Sequence, residues 1–519
     1  MKKSKTPTFL LELPLCVDSG QAKRLRTHFE AARCLYNALL GEAMKRLRQM
    51  WADAAWQEAR AIPQAHKQER KEAFSRLRQT YGFSEYALHA FAKEANCAWI
   101  ADHIDAAMAQ TLATRAYHAA NRVCLGLARK VRFRSKGRGL DSVENKYNES
   151  GLRFILQAPE EGSRGWLLWG KKDRIPALID WNDPVVKHGL THRIKYVRLI
   201  RRKASSPRAQ GADVEGYRYF AQLVLEGKSY LKRKHIVGKG VIGLDLGPST
   251  IAIVPREGET RLVPLCEELK PDARKRRRLE RKLDRQRRAN NPGNYDAKGR
   301  PKKRGRKRLV WKNSKGYLAT RRRLAYQQRK LAAHRKSLHG RLAHEIVRVG
   351  NTIHLEKISY KTWQKQFGKS VGLRAPGMLI DHLKRTVAST GGTLIEFSTH
   401  ATKLSQYCHG CNTYVKKPLW QRWHHCACGV GPVQRDLYSA WLAAYLEPAN
   451  TIPSIAHEEW EGADLRLSAA VEVLQQRANE GQVLPRSVGI PRARARLPES
   501  LAPNRLELVY RRGRLEALE

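Results

Sequence analysis

The spacing of apolar and polar residues divides the first half of the chain into a helical region and flanking β-rich segments. From Ser19 onwards, apolar residues recur every three or four positions, with Lys and Arg opposite, to about residue 130. Ser19 stands where a helix N-cap is expected. This pattern predicts a helical region whose first helix buries Leu25, Phe29, Ala32, Leu35, Leu39, Ala43 and Leu47.

Short β-like runs, separated by turn residues, lie on both sides of this helical region. One run covers residues 8–17, and several cover residues 150–237. We expect these strands to form one small β-barrel into which the helices are inserted.

Four aromatic residues are interleaved with the charges of the helical region, and they have two interpretations. They belong to the core of a helical bundle, or a few of them stack on the bases of a nucleic acid. The residues concerned are Trp51, Trp56, Tyr81 and Phe83.

An acidic residue interrupts the most apolar stretch of the second half. Residues 241–254 place Asp245 before a glycine-containing turn, which predicts a buried β-hairpin. A buried carboxylate is costly unless it is paired or binds a metal. Gly243 and Gly247 flank Asp245 and would leave room for a ligand. The alternative is that Asp245 caps the turn.

Two further acids lie at the ends of predicted elements. Within residues 351–359, an apolar β-run ends at Glu356. Asp436 begins an amphipathic helix, where it would alternatively stabilise the helix N-terminus. Strands alternate with helices here, which predicts an α/β layer with a sheet. Three carboxylates without a neighbouring Cys or His base suit two Mg²⁺ ions, with Asp245 bridging both.

The nine cysteines fall into two groups. Cys408 and Cys411 form a C-x-x-C pair, and Cys426 and Cys428 follow in a tighter C-x-C pair, which predicts one structural zinc site. His425 with Cys428 is the alternative second pair. The other five are expected to be buried free thiols, namely Cys16, Cys34, Cys97, Cys124 and Cys266.

The net charge indicates a polyanionic partner. The 519 residues include 99 Lys and Arg against 48 Asp and Glu, a formal charge of +51. Residues 271–350 alone carry 29 basic and 5 acidic residues in two helix-compatible segments, which phosphates would neutralise. A membrane-surface protein is the rival class, but no amphipathic anchor and no membrane-spanning run stand out.

Five motifs follow one another in an order that resembles a known nuclease family. They are GLDLG, the long basic helical pair, HLE, SQYCHGC with a later CG, and RDLYSA. Together they resemble the split RuvC nuclease of transposon-encoded TnpB proteins and of their relatives, the compact type V CRISPR effectors. The resemblance covers roughly residues 238–441. The chain departs from the family in two places. Cys426-Ala427-Cys428 stands where the family usually has a C-x-x-C pair, and Gln434 stands where the family usually has an acid.

The resemblance implies a multidomain α/β fold. Its parts would be an RNase H-like RuvC domain with a zinc-ribbon insertion, and an N-terminal wedge β-barrel interrupted by a helical recognition lobe. The expected boundaries are 1–18 and 140–237 for the barrel, 19–139 for the lobe, 238–403 and 432–445 for RuvC with the basic pair 268–350, 404–431 for the target-nucleic-acid-binding insertion, and 446–519 for a tail without an assigned role.

The resemblance also implies an RNA-guided DNA endonuclease in the bacterial cytoplasm, associated with the nucleoid. Asp245, Glu356 and Asp436 fall on the family's catalytic triad, with two Mg²⁺ ions, and one zinc ion would bind the cysteine pairs. The partners would be a guide RNA and double-stranded target DNA beside a short flanking motif. Two alternatives remain: an RNA-guided DNA-binding protein with little cleavage, and an unguided transposon-associated nuclease.

Overall fold

A computed structural model provides the structure of the protein. It describes residues 6–137, 139–158, 162–170, 173–204, 213, 216–232, 235–302, 309–450, 452–453, 456, 459–490, 508–511 and 514–517. The chain divides into two compact units, Met1–Lys232 and Arg233–Glu519.

The first unit combines a set of helices with short antiparallel strands. Its elements in chain order are β1 (Thr8–Pro14), α1 (Ser19–Ala52), α2 (Ala54–Ala61), α3 (Lys67–Thr80), α4 (Glu85–Ala95), α5 (Ala98–Ala101), α6 (Ala106–Cys124), β2 (Ser142–Glu144), β3 (Leu152–Leu156), β4 (Gly165–Trp169), β5 (Asp173–Pro176), α7 (Pro184–Leu190), β6 (Ile194–Lys203) and β7 (Tyr217–Glu226).

The helical pattern of the sequence is confirmed in α1. All seven apolar positions that define the predicted helix are buried. The N-cap is Asp18, one residue earlier than predicted. The side chain of Asp18 accepts from the Gln21 N–H, and the side chain of Gln21 accepts from the Asp18 N–H. Among the interleaved aromatics, Trp56 and Phe83 are buried in the core, which favours the bundle interpretation for these two.

The strands of this unit form two antiparallel sheets. One has the order β1-β7-β6-β2, and the other has the order β3-β4-β5. An isolated bridge between Leu15 and Ala177 follows the ends of β1 and β5. The wedge β-barrel and the finer domain boundaries stay predictions.

The second unit is built on a mixed sheet with helices on both faces. Its elements are β8 (Val241–Leu246), β9 (Thr250–Pro255), β10 (Arg261–Pro264), α8 (Ala273–Asn290), α9 (Lys315–Val349), β11 (Thr352–Lys357), α10 (Tyr360–Arg374), α11 (Pro376–Ser389), β12 (Thr393–Ser398), α12 (Thr399–Thr402), β13 (Tyr407–Cys408), β14 (Thr413–Tyr414), β15 (Trp423–His424), β16 (Val433–Gln434), α13 (Arg435–Ala444), α14 (Trp460–Asn479), β17 (Leu508–Arg511) and β18 (Arg514–Ala517).

The sheet of this unit has the strand order β10-β9-β8-β11-β12. The predicted hairpin is confirmed as the antiparallel pair β8–β9, and β11 runs parallel to both β8 and β12. Alternate residues of β8 and β11, such as Leu244 and Leu355, pack with α9 and α11 on one face. The helices α13 and α14 pack on the other face, with Val254 of β9. The α/β layer expected from the sequence is therefore present.

The basic segment forms the two helices α8 and α9, which pack against each other. None of the residues of α8 is buried, so its cationic side chains face outwards. The tail contains the helix α14, which contacts β10, β16 and α13.

Two smaller findings concern the cysteines and the helix lengths. The expectation of five buried free thiols is wrong: Cys16 and Cys97 are exposed, and Cys34, Cys124 and Cys266 are only partly buried. In the part of the chain that the structure describes, no helix has the length and apolar character needed to cross a membrane.

Candidate metal centre and zinc-type cysteine cluster

Two of the three predicted acids lie side by side on the central strands. The parallel register pairs Leu355 with Leu244, so the next residues along, Glu356 and Asp245, are neighbours at the carboxyl ends of β11 and β8. Leu244 and Leu355 belong to the face covered by α9 and α11. Because side chains alternate along a strand, Asp245 and Glu356 both point to the α13 face.

The third acid reaches the same place from helix α13. Asp436 lies in the first turn of α13 and is buried. The turn is capped by Gln434, whose side chain accepts from the Leu437 N–H at 2.8 Å. Gln434 therefore fills the capping role considered for Asp436, and the Asp436 carboxylate is left to face Asp245.

Gly243 sets how closely α13 approaches the sheet. A Cβ atom at this position would lie 1.8 Å from Ala440 O and 2.6 Å from Ala444 N of α13. The backbone of α13 therefore occupies the space at Gly243. The expectation that this glycine leaves room for a ligand is wrong. A nearby hydrogen bond of 3.1 Å joins His354 Nδ1 to Ala443 O, so β11 also holds the helix.

Burial makes all three carboxyl groups harder to ionise. Burial raises the pKa of Asp245 well above its usual range, and the charges of Asp436 and Glu356 raise it further. Burial likewise raises the pKa of Glu356 and of Asp436. A cluster of this kind is relieved by protons or by cations, so the donor set fits hard divalent metal ions.

Glu356 is held in one orientation by residues that sequence reasoning missed. Thr402 Oγ1 donates to Glu356 Oε1 at 2.5 Å, and the Leu404 N–H donates to the same oxygen at 3.3 Å. Both bonds lower the pKa of Glu356, although burial has the larger effect. Thr402 is the last residue of α12, a single turn after β12, and its spacing from Glu356 gives no signal in the sequence.

Two arginines lie beside Asp436. Arg422 Nη1 and Arg435 Nε are each 3.8 Å from Asp436 Oδ1, and both lower the pKa of that carboxyl against the effect of burial. Arg435 was visible in the sequence as the neighbour of Asp436. Arg422 belongs to the cysteine-containing segment, and only the fold brings it here.

The charges of the three acids interact, because Asp436 and Glu356 both raise the pKa of Asp245. Among the residues that the structure describes, the four cysteines form a group whose ligand atoms all lie within 4.8 Å of one another.

The four predicted cysteines converge on one point. Cys408 Sγ lies 3.5 Å from Cys428 Sγ, and Cys411 Sγ lies 3.4 Å from Cys426 Sγ. A hydrogen bond from Thr413 to Cys411 lowers the pKa of the Cys411 thiol to about 6, whereas burial raises the pKa of the Cys408 thiol to about 12. Four sulfurs at these separations have the chemistry of a structural zinc site.

The histidine alternative is not favoured by the geometry. The cluster contains all four thiols, whereas His425 is exposed and lines a separate surface pocket. The adjacent His424 is buried and stacks on Tyr438 of α13, with ring centroids 4.3 Å apart.

The cysteine cluster is directly connected to the acid site. The strand β15 pairs with β16, and β16 runs straight into α13, so Trp423 lies opposite Gln434 in the register. The Arg435 N–H donates to Arg422 O at 2.8 Å, and Tyr438 Oη accepts from the His409 N–H at 3.0 Å. Residues 404–431, which contain the four cysteines, form the cysteine module. Order in this module therefore fixes the start of the helix that carries Asp436.

Comparisons with known proteins give little beyond this geometry. No protein-family model matches the chain, and no curated protein matches it. A cryo-EM structure of a Cas12f1–sgRNA–target DNA complex is similar, with a TM-score of 0.48 and 12% sequence identity over 84% of this chain and 98% of that chain. At this score the likeness is weak, and the functional proposal rests on the residues of this chain.

Proposed function

We propose that this chain is an RNA-guided DNA endonuclease that cleaves target DNA in an RNase H-like RuvC domain. The observation that carries the proposal is the meeting of Asp245, Glu356 and Asp436 on one face of a mixed sheet. They are 111 and 80 residues apart in the sequence, yet they arise from two adjacent strands and the helix packed over them.

The acids fit Mg²⁺ ions in their chemistry, because carboxylate oxygens are the ligands that this hard cation prefers. Asp245, Glu356 and Asp436 would together hold the ions. When bound, such ions supply an activated water and stabilise the leaving oxygen of a phosphodiester.

The chain's own residues prepare this site. Thr402 and the Leu404 N–H hold Glu356 through Oε1 and so fix the orientation of its carboxylate. Arg422 and Arg435 keep positive charge beside Asp436, which favours its ionised form and attracts the phosphates of a strand. A zinc ion held by Cys408, Cys411, Cys426 and Cys428 would brace the module that begins α13.

The basic helices support a guide RNA as partner. The helix α8 has no buried residue and consists mainly of Arg and Lys. Arg287 lies over the ring of Trp311 at 3.8 Å, so an aromatic surface accompanies the charge. Because like charges on α8 and α9 repel each other, a bound polyphosphate would stabilise their packing. Target DNA would then be chosen by pairing with the RNA beside a short flanking motif.

The test begins with the RNA that co-purifies with the protein. That RNA is sequenced, and Mg²⁺-dependent cleavage of matching and scrambled duplex DNA is measured for the wild-type chain and for Asp245→Asn. Asp381→Asn is the matched control, because Asp381 is an exposed acid on α11 of the same unit.

Three results are distinguishable. One discrete RNA with cleavage of matching DNA, lost in Asp245→Asn and kept in Asp381→Asn, supports the proposal. A discrete RNA without cleavage by any variant favours a guided binding protein. Cleavage that is independent of RNA sequence contradicts guidance and leaves an unguided nuclease.

A further inference from the structure

Residues 484–490, here called the tail segment, lie beyond the part of the chain that resembles RuvC nucleases. In the structure this segment belongs to the core of the second unit. Leu484 and Val488 are buried in the same apolar cluster as Leu437 of α13. The tail segment therefore shares its core with the helix that carries Asp436.

Ser487 connects the tail segment to the turn that follows Asp245. Ser487 is buried, and its Oγ lies 2.8 Å from Ser249 Oγ. Thr250 Oγ1, at the first residue of β9, donates to Ser487 Oγ at 3.2 Å. The turn is tight, because the Gly247 N–H donates to Thr250 O at 2.8 Å. A displacement of this turn would therefore also displace the end of β8, which carries Asp245.

Ser487 is also connected to the start of α13. The buried side chain of Gln434 donates from Nε2 to Ser487 O at 3.4 Å, while its Oε1 accepts from the Leu437 N–H at 2.8 Å. An amide can make both bonds, because it carries a donor and an acceptor. A carboxylate at this position could cap the helix but could not donate to Ser487 O. Gln434 thus fastens the tail segment to the first turn of α13, in which Asp436 lies.

The backbone that follows Ser487 is held in place by two contacts. Trp423 Nε1 donates to Gly489 O at 3.2 Å. Gly489 adopts φ +83°, which favours glycine, and a Cβ there would lie 2.7 Å from Arg422 Cβ. Because the tail segment is fixed in this way, Ser487 is a firm connection between the turn after β8 and the start of α13.

We propose that Ser487 is a positioning residue that sets the separation between Asp245 and Asp436. Its hydroxyl holds the hairpin of one carboxylate, and its carbonyl holds the helix of the other. Carboxylates that share metal ions must keep their geometry within about 0.5 Å. The loss of a group that supports metal ligands weakens metal binding by about 10- to 100-fold. The proposal rests on the proposed function for the metal ions, and it gives the tail segment a role in that site.

The experiment measures metal binding at the acids without DNA cleavage. Fe²⁺ replaces Mg²⁺ on the full-length protein with its co-purified RNA, and ascorbate with hydrogen peroxide then generates hydroxyl radicals that cut the polypeptide beside the bound ion. Fragments are mapped by mass spectrometry, and the cuts that Asp245→Asn abolishes define the acid site. The Fe²⁺ concentration for half-maximal cutting is compared for Ser487→Ala, Ser249→Ala and the double variant, together with their thermal midpoints. Ser468→Ala is the control, because Ser468 is exposed on α14.

We expect the half-maximal Fe²⁺ concentration to rise about 10-fold in Ser487→Ala. It should rise by a smaller factor in Ser249→Ala, because the bond from Thr250 remains, and it should not change in Ser468→Ala. The double variant should behave like Ser487→Ala, because Ser249 acts through the same hydroxyl. A lower thermal midpoint with an unchanged Fe²⁺ concentration in Ser487→Ala would indicate a merely structural role and overturn the proposal. Effects of the two single changes that multiply in the double variant would also overturn it.

Failure of this proposal is distinguishable from failure of the proposed function. Wild-type cuts at the acids that do not respond to Ser487→Ala remove only the role of Ser487 and leave the nuclease standing. Cuts that do respond, in a chain that does not cleave DNA, support the positioning role while the nuclease proposal falls. A wild-type chain without cuts near the acids overturns both.

Discussion

Gly243→Ala tests whether the α13–β8 contact positions the acids. The new Cβ would lie 1.8 Å from Ala440 O, against about 3.4 Å for an ordinary contact. The obstacle is helix backbone, which cannot rotate away as a side chain can. The helix α13 must therefore retreat by roughly 1.6 Å and carry Asp436 with it, or β8 must distort by as much.

Two quantities should change together. Overpacking of this kind costs about 1–3 kcal/mol or more of the free energy of unfolding. A displacement of about 1 Å at a catalytic group lowers the rate by about 100-fold. We expect both losses in Gly243→Ala, measured by denaturant unfolding and by single-turnover cleavage of guide-matched DNA below the unfolding transition.

Gly340→Ala is the matched control for this change. Gly340 lies within α9, and a Cβ there would meet nothing within 4 Å. Its substitution should leave cleavage unchanged and stabilise the protein by up to about 1 kcal/mol. Wild-type stability and cleavage in Gly243→Ala would refute the packing described for α13.

Three further predictions concern the zinc, the support of Glu356 and the dependence on pH. Cys411→Ser should reduce bound zinc from about one ion per chain to near zero and lower the thermal midpoint, measured by metal analysis and calorimetry, because one of four ligands is lost. Thr402→Val should weaken Mg²⁺-dependent cleavage about 10-fold with little change in stability, since Glu356 loses the bond that orients it. Burial lowers the pKa of His339 from 6.5 to about 4, so the folded state loses up to about 3 kcal/mol as the pH falls from 6.5 towards 4. His339→Gln should flatten this loss in denaturant titrations across that range.

Each of these changes has a control on the same unit. Cys266→Ser should keep the zinc, because Cys266 is not one of the clustered thiols. Ser389→Ala removes a hydroxyl from the end of α11 and should not affect cleavage. His400→Gln alters an exposed histidine and should preserve the acid-side slope. Zinc retained in Cys411→Ser, full cleavage in Thr402→Val, or an unchanged slope in His339→Gln would contradict the corresponding reasoning.

The sequence predicts those features that depend on a single helix, hairpin or motif. The hairpin around Asp245 followed from two apolar runs and a glycine-containing turn, and the burial of α1 followed from its period. The four cysteines could be grouped because a C-x-x-C pair followed by a nearby C-x-C pair has few other uses in such a chain.

The remaining features depend on which elements become neighbours. The sequence does not state that β11 lies beside β8, so the pairing of Glu356 with Asp245 needed the sheet order. The sequence predicts that Gly243 leaves room for a ligand. A glycine inside a strand also indicates the close approach of another backbone, and at Gly243 that backbone belongs to α13. Thr402 and Arg422 carry no local signal, because each acts through a partner that is distant in the chain.

The measurement that tests the central claim most directly is a mutant cycle on the three acids. Cleavage of guide-matched DNA is measured at saturating Mg²⁺ for Asp245→Asn, Glu356→Gln and Asp436→Asn, alone and in pairs, with Asp381→Asn as control. If the three acids serve one metal centre, each single change removes nearly all cleavage and the pairs lose little more. Losses that multiply, or a single variant that keeps wild-type cleavage, would contradict a shared site.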